Sequence, residues 1–187
     1  GCGDFNIGKE LVKHTKKYVA VDIVSELINH NKEKFIMDNL EFQCLDIAKD
    51  DLPSGDCVIL RQVLQHLSND EVKNVVQKLS NFKYVILTEH IPIGDFIPNK
   101  DIISGQGIRL KKQSGINLLA TPFHFKVIDE KELQSVILND NVRFKVVLGD
   151  MLVSKSIGLG TNVLTSLNHI FLITIPSFLV RISILSA

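Results

Sequence analysis

An open α/β sheet, mostly parallel with an antiparallel closing strand and helices on both faces, is the fold class that this 187-residue sequence predicts. Three observations lead there. Short β-branched runs with few charges recur at residues 17–22, 40–46, 56–60 and 83–89, the signature of strands buried on both faces. Amphipathic stretches lie between them, and strands alternating with helices build right-handed βαβ units. The composition, 45% apolar and 22% charged, is that of a globular domain and excludes a fibrous or disordered chain.

Each element has its own justification. Residues 7–14 read as a helix, and the strand 17–22 ends in Asp22. Residues 25–38 form an amphipathic helix carrying Leu27, Ile28, Phe35 and Ile36. Residues 69–81 set Val72, Val75, Val76 and Leu79 at helical spacing, with Ser68 or Asn69 as cap and Glu71 in the first turn. After Pro92 the pattern breaks. Residues 92–122 hold three prolines and four glycines and read as a long loop with one helical turn, the kind of insertion that forms lids. Residues 123–128 and 142–148 read as two closing strands, the second entered through Asn139-Asp140-Asn141. This divides the chain into a main domain, 1–150, and an apolar extension, 151–187, whose only charges are Lys155 and Arg181.

Charge and composition narrow the partners. Lys plus Arg and Asp plus Glu both total 21, and there are ten Phe, two Tyr and no Trp. Without a positive field or a stacking platform, no nucleic-acid partner is expected. The three cysteines, Cys2, Cys44 and Cys57, are far apart and odd in number, which suits a reducing, cytoplasmic setting. The six histidines are scattered, so no metal site is expected. Residues 163–180 carry no Asp, Glu, Lys or Arg, long enough for a membrane span. Asn168, His169 and Pro176 interrupt that run, and packing on the domain is the preferred reading over membrane contact.

The chemistry gathers at strand ends. Gly1-Cys2-Gly3-Asp4-Phe5 lets a loop turn tightly and a ligand approach the backbone, with N–H groups of the following helix facing an anion. Asp22, 21 residues after Gly1, stands where an acid accepts from a ribose diol; its bland alternative is a cap for the helix near Ser25. Asp46, followed by Ile47, could accept an adenine amine with Ile47 against the ring; otherwise it is a turn residue before Asp50 and Asp51. A dinucleotide fold wants glycine where Asn6 stands and gives Asp46 no role.

This ordered set, together with Arg61-Gln62-Val63-Leu64-Gln65-His66-Leu67, resembles the class I S-adenosylmethionine-dependent methyltransferases over about residues 1–150. The resemblance implies a Rossmann-like sheet with S-adenosylmethionine as cofactor and a small-molecule methyl acceptor. It also implies that Gly1, Cys2 and Gly3 flank the methionine portion, that Asp22 and Ile23 serve the ribose, and that Asp46 and Ile47 read the adenine. Arg61 and Gln62 would lie along the methionine side. The family's strand ahead of the glycine loop has no counterpart before Gly1. Two backbone edges in mid-sheet are therefore expected to lack partners. An interaction module of the same fold without catalysis is the alternative.

For the transfer itself the candidates are His66, Glu89 and His90. An imidazole beside a carboxylate suits a general base near neutral pH, though adjacent strand residues point to opposite faces. The alternatives are a helix-start residue for His66 and plain loop residues for the other two. In the long loop, Asn99, Asp101 and Arg109 are candidate substrate contacts, Arg109 through pairing with a carboxylate or phosphate. A structural arginine is the competing reading.

Overall fold

The computed structural model describes residues 1–105, 109–139, 142–151 and 169–174. Its strands are β1 (Lys17–Asp22), β2 (Leu40–Cys44), β3 (Cys57–Arg61), β4 (Tyr84–Pro92), β5 (Asp129–Asn139), β6 (Val142–Asp150) and β7 (His169–Thr174). The helices are α1 (Gly8–Val12), α2 (Ser25–Lys34) and α3 (Asn69–Leu79). The described residues form one seven-stranded sheet, in the order β2-β1-β7-β3-β4-β6-β5. Its first five members run parallel, and β6 closes antiparallel on β4 and β5.

The alternation within the strands explains the layers. Val19 and Val21 of β1, Val58 and Leu60 of β3 and Val85 of β4 pack with Val72, Val75 and Leu79 of α3 on one face. Tyr18 and Ala20, Cys57 and Ile59, and Tyr84 meet Val12 of α1 and Ile28 of α2 on the other. Helix α3 starts as its sequence says it should. The Ser68 hydroxyl accepts from the Glu71 amide while the Glu71 carboxylate accepts from the Ser68 amide, a complete capping box.

Three expectations change. Helix α2 ends at Lys34, leaving Ile36 87% exposed rather than on the helix's apolar face. Residues 123–128 are not a strand; the closing strand is β5, Asp129–Asn139. Its charged start disguised it, because an outer strand paired only with β6 tolerates charge where a central strand does not. Finally, the mid-sheet edges are both paired. Residues 169–173 of β7 pair parallel with Lys17–Val21 of β1, and residues 170–174 with Cys57–Arg61 of β3. Part of the apolar extension is thus a central strand. The rest of residues 152–187, including most of the run considered as a membrane span, lies outside the described residues. Among those described, no helix is long and apolar enough to cross a membrane.

Phe5 anchors the glycine-containing turn to this frame. Fully buried, it meets Tyr18, Phe35 and Phe42 edge-on, with ring centroids 5.7, 5.2 and 4.8 Å away. Gly8 lies against its ring so closely that a β-carbon there would come within 2.1 Å of it.

Two stability measurements follow. Phe5→Ala is expected to cost about 3–5 kcal/mol in denaturant unfolding, the range for deleting a buried phenyl ring. Leu172→Pro removes a backbone donor from the sheet's centre and is expected to abolish the cooperative transition. An unchanged midpoint would take β7 out of the sheet.

Candidate functional site

The strand order reverses around β7, and the carboxyl ends of β1 and β3 flank that point, where open α/β sheets hold their ligands. The glycine turn sits there. The Cys2 amide donates to the Val21 carbonyl at 2.6 Å, and Gly3, at φ 55°, turns the chain back. Asp22, 6% exposed, ties the turn to the strand: its carboxylate accepts from the Gly3 amide at 3.0 Å and from the Val24 amide at 3.1 Å. Asp22 thus closes the glycine turn and stops the chain ahead of α2. Ile23 beside it is 62% exposed, an apolar surface at the mouth of the crevice.

Asn31 supports the turn from below. It is fully buried on α2, and its amide nitrogen donates to the Gly3 carbonyl at 2.7 Å. The sequence signal was there: a polar residue one turn after Ile28 on the helix's buried face. The thiols of Cys2 and Cys57 are pushed up to about 12, chiefly by burial, so neither is a nucleophile at neutral pH. Helix α1 is only five residues long, shorter than expected.

At the end of the next strand, Asp46 serves its own turn. Its carboxylate accepts from the Ala48 amide at 3.0 Å and pairs with Lys49 at 2.8 Å. Ile47 is 7% exposed and packs in the core with Val63 and Leu64.

The ends of β3 and β4 bring the remaining candidates together. Arg61 is buried within electrostatic reach of Asp4 and His90. Gln62, at φ 55°, donates its amide to the Thr88 carbonyl, and its Nε2 stands 2.9 Å from His90 Nε2. Burial, followed by the charges of Arg61 and His66, holds His90 below the ordinary histidine value, so its ring is neutral at pH 7. His66 follows in the 3-10 turn Leu64–His66, with Gln65 Nε2 3.3 Å from its Nε2.

Glu89 leaves β4 on the face opposite His90. Its Oε1 accepts from the Leu64 amide at 3.0 Å, while Oε2 is buried and has no partner. Desolvation dominates, and the carboxyl is pushed up to about 8 despite the Leu64 and Gln65 amides and the Arg109 charge. It is therefore protonated at neutral pH.

The long segment after β4 is held by the very residues read as substrate contacts. Asn99 donates to the carbonyls of Asn117 (2.7 Å) and Thr121 (2.9 Å), and accepts from the Asn117 amide. Asp101 accepts from the Asn69 amide at the start of α3. Arg109, 1% exposed, donates to the Leu64 carbonyl at 2.8 Å and the Asn69 side chain at 2.7 Å. The expected helical turn is the 3-10 turn Arg109–Lys112. Among the described residues, no three His, Cys, Asp or Glu side chains cluster as a metal site would need.

Comparison with known proteins fits this geometry. The family described as "Methyltransferase domain" matches residues 1–83, from the glycine turn to the start of β4. Over that segment, 83 of the 187 residues, the chain is similar to that family. Its sheet continues the same fold beyond residue 83. The (4+2)-cyclase SpnF is similar at TM-score 0.57 and 11% identity, over 82% of this chain and 74% of that one. The YcgJ protein of Bacillus subtilis is similar at TM-score 0.54 and 12% identity, over 81% and 89%. N-methyltransferase NodS of Bradyrhizobium japonicum WM9, solved with S-adenosyl-L-homocysteine, matches at TM-score 0.53 and 10% identity, over 80% and 74%. No curated protein matches the chain in sequence. Identities this low speak for the fold, and the methyltransferase fold carries more than one chemistry, as the cyclase shows.

Glu89 makes the stability of the folded chain depend on pH. Its carboxyl holds a proton up to about pH 8 in the folded chain, whereas an unfolded glutamate loses it near the ordinary value. Between those values the unfolded chain binds fewer protons, so stability falls as pH rises and levels off above the folded value. Glu89→Gln is expected to remove that slope, equalling wild type in acid and exceeding it at alkaline pH. Urea midpoints across the range check this.

Proposed function

We propose that the chain binds S-adenosylmethionine at the carboxyl edge of the sheet and transfers its methyl group to a small molecule. The observation that carries this reading is the buried Asp22 carboxylate facing the Gly3 turn where the strand order reverses. A ribose diol would donate to the carboxylate lone pairs that the two amides leave free. Exposed Ile23 offers the adjoining apolar wall, and Asp46 would hold the adenine amine by giving up part of its pairing with Lys49. The residues present therefore fit the cofactor at the glycine turn and ribose, and at the adenine through a rearranged turn.

When bound, the cofactor supplies a methyl group already activated on a positively charged sulfur. What remains for the chain is alignment and, for a protonated acceptor, removal of one proton. We assign that proton to His90. It is neutral at pH 7, and with Gln62 donating to Nε2 its own proton sits on Nδ1. Nε2 then becomes the basic atom once an acceptor displaces Gln62. Arg61 and Gln62 line the methionine side, and His66 flanks them. Asn99, Asp101 and Arg109 we assign to holding the 93–128 segment against the 3-10 turn and α3, a positioning role in place of substrate contact. The second reading, a site kept without methyl transfer, is supported by the cyclase on a similar fold.

Titration with S-adenosylhomocysteine tests the first step. Ligand at a hundredfold excess over its dissociation constant is expected to add about 2.7 kcal/mol of stability. Asp22→Asn, which keeps one acceptor oxygen for the turn, is expected to abolish the binding heat. His90→Ala should leave binding intact and lower turnover. No heat at millimolar ligand with a cooperatively folded chain would overturn the cofactor reading, and equal loss in both variants would overturn the division of roles.

A further inference from the structure

A cavity lies between the β4–β6 face and the segment that follows β4. It measures about 260 Å³, just below the usual range for drug-sized ligands, so it suits a smaller molecule. The β4–β6 register dictates its shape. Ile91 is paired with Arg143, Glu89 with Lys145, Leu87 with Val147 and Val85 with Gly149, and all eight residues line it. The cavity thus runs along β4 from a polar end to an apolar one, roofed by Leu118, Phe125 and Val127.

The polar end holds two buried atoms without partners, Glu89 Oε2 and Arg143 Nε. Such atoms are costly to bury, and a ligand that satisfies both recovers that cost. The other charges along the cavity are accounted for. Lys145 pairs with Glu132 at 3.2 Å, and exposed Glu130 lies at the opposite end, in register with Gly149. A carboxylate matches the polar end: one oxygen accepts from the guanidinium, the other from the Glu89 carboxyl, which keeps its proton at neutral pH. A cationic head would face Arg143 and be repelled.

We propose that this cavity binds a small amphiphilic carboxylate, its head between Arg143 and Glu89 and its alkyl tail lying along β4 toward Val85 and Gly149. The inference concerns binding alone and does not require the methyl-transfer reading. It makes the 93–128 segment the cover of a ligand site.

Calorimetric titration of the full chain with hexanoate, octanoate and octan-1-ol tests it, with S-adenosylhomocysteine titrated separately on the same sample. Octanoate is expected to bind saturably, and roughly fourfold more tightly for each methylene gained over hexanoate. Octan-1-ol should bind at least tenfold more weakly than octanoate, and Arg143→Gln should erase that difference. An absence of saturable octanoate binding, or an affinity indifferent to chain length, would overturn the proposal without any variant. An octanoate affinity unchanged in a folded Arg143→Gln chain would overturn the placement of the head. Failure with S-adenosylhomocysteine alone counts against the cofactor reading and leaves this cavity standing.

Discussion

A parallel sheet buried on both faces has one demand that nothing else can meet: its central strand must be paired on both sides. Backbone groups there have no water to turn to, and an open slot would leave two ladders of donors and acceptors unsatisfied. In this protein β7 fills that slot, between β1 and β3. The crevice at the carboxyl edge exists because β1 and β3 are held apart by one strand's width. The glycine turn, Asp22, Arg61 and Gln62 inherit their mutual positions from that spacing.

Strand β4 shows how a single element places neighbouring residues in two environments. Glu89 and His90 are neighbours in sequence yet face opposite sides of the sheet. His90 is half-buried beside Gln62 and Arg61, and burial, followed by the charges of Arg61 and His66, keeps it neutral. Glu89 is buried, and desolvation keeps its proton on up to about pH 8. The same pleat that separates them gives each face its own lining: a polar crevice on one, an apolar cavity with a protonated carboxyl on the other.

The segment after β4 would read as loose coil from its prolines and glycines. Its order comes from a few polar side chains used inside the chain. Asn99 spans two carbonyls and an amide, and Arg109 ties the segment to Leu64 and Asn69. These contacts connect the cover of the cavity to the 3-10 turn whose Leu64 amide also holds Glu89.

The sequence by itself determined the α/β class, strands β1 to β4, the capped helix α3 and the ordered acids and glycines of the crevice. Those features are local: β-branched runs, a Ser68–Glu71 box and a glycine turn act over a few residues. Strand β5 was hidden because an outer strand needs no continuous apolar run, and Asn31 because its role depends on which helix face is inward. Only the tertiary structure decided which segment pairs at the sheet's centre, which of Glu89 and His90 meets which face, and that Arg109 is spent inside the fold. Each of those depends on contacts between residues far apart in the chain. A carboxylate's partners, and hence its protonation, follow from where the whole fold puts it.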